Sequence, residues 1–116
     1  RRRNRPAQGL WFVPGGRIGK DERLDAAFRR FVGAELGLEV AREDTAFLGV
    51  FEHFYPDNAL GAEGVGTHYV VLAHAWQVEG MPPIPEDQHV ASLWMSVPEL
   101  LAHPEVHENT KAYFRT

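Results

Sequence analysis

The chain has 116 residues, enough for one domain that buries about two-thirds of the surface its unfolded form exposes. A composition of 44% hydrophobic and 24% charged residues fits a folded globular domain, and a net charge of −4 without a helical basic stripe argues against nucleic acid as a partner. With no cysteine, disulfides, thiolate metal sites and a cysteine nucleophile are excluded, and the ~20-residue apolar run of a membrane span is absent from the sequence.

These limits predict a single domain over residues 1–116, compatible with a reducing cytoplasm, with no membrane partner and no visible signal-peptide pattern. The first residues, "RRRNRPAQG", are polar loop chemistry running straight into "LWFVP" (10–14), which is rich in strand formers and ends at Pro14-Gly15-Gly16. The two glycines permit a tight turn or a close approach of backbone to a ligand. A helix follows over about residues 22–36, marked by Asp21 and Glu22 at its start, by Leu24, Ala27, Phe28 and Phe31 at helical spacing, and by Gly37 as its stop.

"TAFLGVFEHFY" (45–55) and "THYVVLAHAWQV" (67–78) read as two strands of an antiparallel hairpin across a Gly-rich loop. The Pro-rich "EGMPPIPEDQ" (79–88) is a loop, "VASLWMS" (90–96) a short strand, and Ser96-Val97-Pro98-Glu99 a capping box opening a helix. A last helix is expected from near Val106 to Phe114. Strands and helices in this order predict an α+β fold, or an α/β/α sandwich, without a βαβ alternation or an internal repeat.

The chemistry centres on the first helix. With only two serines, Ser92 and Ser96, in a strand and at a cap, water is the expected nucleophile of any reaction. Positions 31, 34 and 35 adjoin on the helix surface, and only Glu35 is acidic.

Here the chain resembles the Nudix hydrolases, whose box reads G-x5-E-x7-R-E-U-x-E-E-x-G-U, with U aliphatic. The match runs through Gly16, Glu22, Arg30, Val32, Glu35, Gly37 and Leu38, and departs at two acidic positions, held here by Phe31 and Ala34. That departure, with "NRPAQG" (4–9) and "WFVPGGR" (11–17), is similar to the GDP-mannose mannosyl hydrolase branch. The similarity continues through "HFY" (53–55), "THYVVL" (67–72), "DQH" (87–89) and "AYF" (112–114).

The resemblance implies a Nudix-type α/β/α sandwich with a mixed sheet, and roughly two strands ahead of Arg1 that this chain lacks. It implies one Mg²⁺ ion, replaceable by Mn²⁺, held by Glu35, the backbone carbonyl of Gly15 and the amide of Gln88. A single carboxylate supports about one such ion, completed by neutral oxygens, water and phosphate.

The implied reaction is displacement of GDP from C1 of mannose, or of glucose, by water with inversion. His89 is the implied base, Arg2 and Arg17 contact the diphosphate, and Tyr69 hydrogen-bonds the leaving group. A homodimer is implied too. The rivals are a pyrophosphatase attacking phosphorus, for which Phe31 and Ala34 leave too few carboxylates, and a non-catalytic nucleotide-sugar binding module.

Other residues carry plainer readings. Glu22 and Arg30, eight apart, are expected to fix the Gly-rich loop on the helix, with Arg30 also able to orient a reacting group. His53, alternating with Phe51 and Tyr55, is balanced between sugar contact and aromatic packing. His68 and His74 are expected as packed or surface histidines. "HPEVH" (103–107) lacks the acidic second position of a zinc motif, has Pro104 there, and reads as the start of a helix.

Overall fold

The computed structural model describes residues 10–79 and 93–115. Helix α1 spans Leu24–Leu36 and ends where Gly37 takes the left-handed conformation, its N–H donating to the Gly33 carbonyl at 2.9 Å. That conformation, with φ 67°, strains any residue bearing a Cβ. Phe28, Val32 and Leu36, four apart, form the buried stripe of the helix, joined by Phe31, Leu38, Val40 and Trp76. Full burial of one such side chain is worth about 1.5–3 kcal/mol, so this stripe is what holds α1 down.

Strands β1 (Ala46–Tyr55) and β2 (Thr67–Ala75) pair antiparallel, from Ala46↔Ala75 to Tyr55↔Thr67, with a register shift between Phe47 and Gly49. Their connecting loop is organised by Asn58. Its side chain accepts from the amides of Leu60 and Ala62 at 3.0 and 3.1 Å and donates to the carbonyls of Ala62 and Val65, both at 2.8 Å.

Alternation gives the hairpin two unlike faces. One carries Phe51, His53, Tyr55, Tyr69, Val71 and Ala73, and packs on the C-terminal segment: the Tyr113 ring meets Phe51 edge-on at 4.9 Å and His107 lies 4.9 Å from Tyr55. The other face receives α1 at its open end, where the Phe28 ring lies 5.4 Å from His74 and 5.6 Å from Trp76. Helices therefore flank the hairpin on both sides, as expected of an α+β sandwich.

The C-terminal segment comprises α2 (Val97–Ala102), α3 (Glu108–Lys111) and a 3₁₀ turn, Ala112–Phe114. Ser96 caps α2 as expected, accepting from the Glu99 amide at 3.3 Å while its hydroxyl donates to the Glu99 carboxylate at 2.9 Å. His107 caps α3, its Nδ1 accepting from the Asn109 amide at 3.0 Å.

Several boundaries differ from expectation. "LWFVP" forms no strand of its own: Trp11 makes a single parallel bridge to Val106, with its N–H donating to Glu105 at 2.8 Å, and Pro14 has no N–H to extend a ladder. Among the described residues the sheet is the antiparallel β1–β2 pair alone, so the mixed sheet expected is not seen there, and the one parallel pairing is that isolated bridge outside it. Residues 93–96 belong to no strand, and the rest of the expected 90–96 strand, like the 80–88 part of the Pro-rich loop, lies outside the described residues. The last helix starts two residues later than expected, because His107 is its cap, and tightens to 3₁₀ after Lys111. Likewise α1 begins at Leu24, since Glu22 is used in the loop before it.

Candidate functional site

The glycine loop and α1 form one unit. A Cβ placed on Gly16 would lie 2.5 Å from the Cβ of Phe31, so the loop backbone touches the helix where only glycine fits. Glu22 closes the loop from the other end, accepting from the Gly19 amide at 2.8 Å and from Arg30 at 2.9 Å (Nε) and 3.0 Å (Nη2). Arg30 Nη2 also donates to the Arg17 carbonyl. This confirms the holding role expected of Glu22 and Arg30.

The electrostatics follow from that fork. The Arg30 hydrogen bonds, with the Gly19 amide, hold the Glu22 carboxyl down at about 2, and Glu22 in turn raises the Arg30 guanidinium. The pair stays ionised across the physiological range and ties the loop down by charge-assisted bonds.

Two functional groups hang from this unit. The Arg17 carbonyl is occupied by Arg30, whereas its guanidinium makes no hydrogen bond among the described residues and is exposed. Glu35 lies one turn beyond Phe31 and is only 6% exposed, a carboxylate set within the core-facing stripe of the helix. Ala34 beside it is exposed, and Phe31 is committed to packing on Gly16 and, edge-on at 5.4 Å, on Phe28.

The second group lies on the hairpin. Tyr69 pairs with His53 across the ladder and is half-buried; its ring meets Tyr55 edge-on at 5.9 Å. His53 is 5% exposed and packs between Phe51 and Tyr113, with ring centroids 6.4 and 5.2 Å away. Burial, with the nearby His107 as a smaller cause, lowers its pKa below the ordinary histidine value and keeps the ring neutral. Aromatic packing is thus realised for His53. Its Nδ1 lies 3.5 Å from the Tyr113 hydroxyl, and its buried Nε2 has no hydrogen-bond partner among the described residues.

Alternation along β2 puts Tyr69 on the face opposite His74, where α1 packs, so the described residues form two groups and do not assemble one continuous site. Arg2, Gln88 and His89 lie outside the described residues. His68 stacks on Phe54 at 4.3 Å and pairs with Glu52 at 3.0 Å on the exposed face, and His74 packs between Phe28 and Phe47, as the plainer readings held. Tyr113 lies in the "AYF" run that extends the resemblance, but nothing in the sequence links it to His53, and its place beside that ring emerges only when the C-terminal turn is laid on the sheet.

A shallow depression lined by Glu39, Val40, Ala41, Asp44, Ala46 and Trp76 includes none of the expected site residues. Among the described residues no three His, Cys, Asp or Glu side chains converge as a metal cluster. The loop–helix unit offers hard oxygens instead: one buried carboxylate and a glycine backbone with no Cβ to keep a ligand away. Such donors suit a hard divalent cation.

A glycine loop clamped on a carboxylate-bearing helix, beside an antiparallel hairpin, defines the class to which this α+β domain is assigned. The NUDIX domain model matches residues 1–115, and the chain belongs to the Nudix family, hydrolases of nucleoside-diphosphate-linked compounds that generally use divalent metal ions. The chain is also 45% identical over 73 residues to the "Low-salt glycan biosynthesis protein Agl8" of Haloferax volcanii. That match covers 62% of this chain and 44% of the relative, so under half of the relative's length is spanned. Among the described residues no helix is long and apolar enough to cross a membrane.

Proposed function

We propose that this protein is a Mg²⁺-dependent hydrolase of a GDP-sugar, GDP-mannose first and GDP-glucose second, releasing GDP and the free sugar. The observation that carries the reading is the fate of the three box positions on α1: Glu35 is buried, Phe31 is a packing residue, and Ala34 is exposed and uncharged. That leaves one carboxylate where a phosphorus-attacking Nudix enzyme gathers several. The name of the similar Haloferax volcanii protein, which places it in glycan biosynthesis, supports a nucleotide-sugar substrate.

Glu35, the Gly15 carbonyl and the Gln88 amide would hold the cation, Mg²⁺ or in its place Mn²⁺. Bound there it would neutralise charge on the diphosphate, making GDP a weakly basic leaving group. Arg17, its backbone pinned by Arg30 and its guanidinium exposed, contacts the diphosphate with Arg2. His89 takes a proton from water as the water oxygen bonds to C1. The C1–O bond breaks with its electron pair leaving on GDP, and the configuration inverts. Tyr69 would donate to the leaving group and His53 would contact the sugar, both reaching the substrate from the hairpin face opposite α1, with Arg30 orienting the loop that carries Arg17. On this reading the protein works in the cytoplasm as a homodimer, a state that light scattering checks directly.

The test is hydrolysis of GDP-mannose in ¹⁸O-labelled water with mass spectrometry of the products. Label in mannose is expected. Label in a phosphate-bearing product would mean attack at phosphorus, and nucleotide binding without any product would assign the chain to the non-catalytic binding modules.

A further inference from the structure

We propose that Tyr113 is a positioning residue that holds His53 in its Nε2–H tautomer, so that Nε2 presents a buried hydrogen-bond donor to an oxygen of the substrate. The inference rests on the reading above for the identity of that substrate, but its tautomer is a property of the protein alone.

The geometry is that of a ring held from one side. The Tyr113 hydroxyl lies 3.5 Å from Nδ1 of His53, and the Tyr113 ring is fixed edge-on against Phe51 at 4.9 Å, so the hydroxyl is placed by packing. Phe51 and Tyr113 both contact the His53 ring, leaving it 5% exposed. The opposite nitrogen, Nε2, is buried and has no partner among the described residues.

A neutral imidazole has one donor and one acceptor nitrogen, and the partner of one decides the role of the other. A phenol is a better donor than acceptor, because its oxygen lone pair is delocalised into the ring, whereas the imidazole lone pair is a strong acceptor. Burial strengthens this assignment by raising the Tyr113 pKa to about 12 and lowering that of His53, which keeps both groups neutral. The Tyr113 hydroxyl therefore donates to Nδ1, and the proton of His53 resides on Nε2.

A buried donor without an acceptor is uncommon in folded proteins and points to a group supplied from elsewhere. The acceptor class is an oxygen without an obligatory proton of its own to donate: a sugar hydroxyl lone pair or a phosphate oxygen of the nucleotide sugar. His53 pairs across the ladder with Tyr69, so the donor stands beside the tyrosine proposed to contact the leaving group.

Long-range ¹H–¹⁵N correlation spectra of the ¹⁵N-histidine-labelled protein read the tautomer without substrate. The expected result is a neutral His53 protonated at Nε2, which redistributes between tautomers in Tyr113→Phe, a variant that keeps the ring packed on Phe51. A His53 protonated at Nδ1, or a tautomer indifferent to Tyr113→Phe, would overturn the proposal. Turnover then tests the donor itself. Gln places an amide N–H near the Nε2 position and Asn near Nδ1, so His53→Gln is expected to retain about tenfold more kcat/KM than His53→Asn, the equivalent of roughly one net hydrogen bond. Equal loss in both variants would remove the donor role. Absence of turnover on any GDP-sugar by the unmodified protein, with the tautomer as expected, would count against the proposed function while upholding Tyr113's hold on His53.

Discussion

Adding one methyl group at Gly16 should do more damage than its size suggests. A Cβ there would lie 2.5 Å from Phe31 Cβ, whereas ordinary contact begins at 3.4 Å, so loop and helix must separate by about 0.9 Å (3.4 − 2.5). The obstacle is the first atom of the Phe31 side chain, which no rotamer change can move. Overpacking of this kind costs about 1–3 kcal/mol, and Gly16→Ala should lower the urea midpoint accordingly. Phe31→Ala should not relieve the strain, because it keeps the Cβ; Phe31→Gly should, giving a favourable coupling of at least about 0.5 kcal/mol in a double-mutant cycle. If the proposed site is right, the same displacement shifts the Gly15 carbonyl relative to Glu35, and a misplacement of about 1 Å can cost on the order of a hundredfold in rate. A Gly16→Ala protein with unchanged midpoint would refute the reasoning at its first step, since the contact would then not be tight.

Glu22→Gln should release the loop: the Gly19 amide, protected by the Glu22 carboxylate in the parent, is expected to exchange with deuterium faster, and unchanged exchange would sink the clamp. Because the folded carboxyl is depressed from 4.5 to about 2, the bond to Arg30 is fully favourable above pH 4.5 and is lost as pH falls towards about 2. His53, which is buried, and His107, which is partly buried, have folded pKa values below the ordinary 6.5 because burial disfavours their charged forms. The unfolded chain then binds more protons just below pH 6.5, so stability should be complete above that value and decline as pH falls through the folded values. Urea midpoints at pH 7.5 and 5.5 check this, and a higher midpoint at 5.5 would reverse the sign. Phe28→Ala, at a residue 3% exposed and in ring contact with Phe31, His74 and Trp76, should cost about 3–5 kcal/mol by thermal or urea unfolding.

The parts of the fold legible in the sequence are those whose signal is local. The helical spacing of Leu24, Ala27, Phe28 and Phe31, the glycine stop at Gly37 and the alternation of β1 and β2 each depend on near neighbours, and the three elements lie within two or three residues of their expected bounds. Of the four spaced residues, however, Leu24 is 39% exposed, and the buried stripe runs on through Val32 and Leu36 instead. "LWFVP" failed as a strand because strand propensity describes a surface that fits a ladder, and the ladder is made by distant residues. The holding role of Glu22 and Arg30 was legible from their spacing. The burial of His53 against Tyr113 was not, since sixty residues separate the two and no period links them.

The altered box positions differ in kind, and restoring each carboxylate should show it. Ala34 is exposed, so Ala34→Glu is expected to change stability by no more than about 0.5 kcal/mol. Phe31→Glu forfeits the edge-on contact with Phe28, worth about 0.5–1.5 kcal/mol, together with the apolar surface covered against the core. A cost near 2 kcal/mol is expected in urea unfolding. Equal costs at the two sites would mean that the Phe31 ring contributes nothing. If the difference holds, position 31 has exchanged a charge for a contact, and the contact falls on the loop that carries Gly15 and Arg17. Loss of a carboxylate and fixing of the loop are then one event, and on the proposed reading Glu35 would be the acidic member of a smaller, more firmly positioned set of oxygen donors.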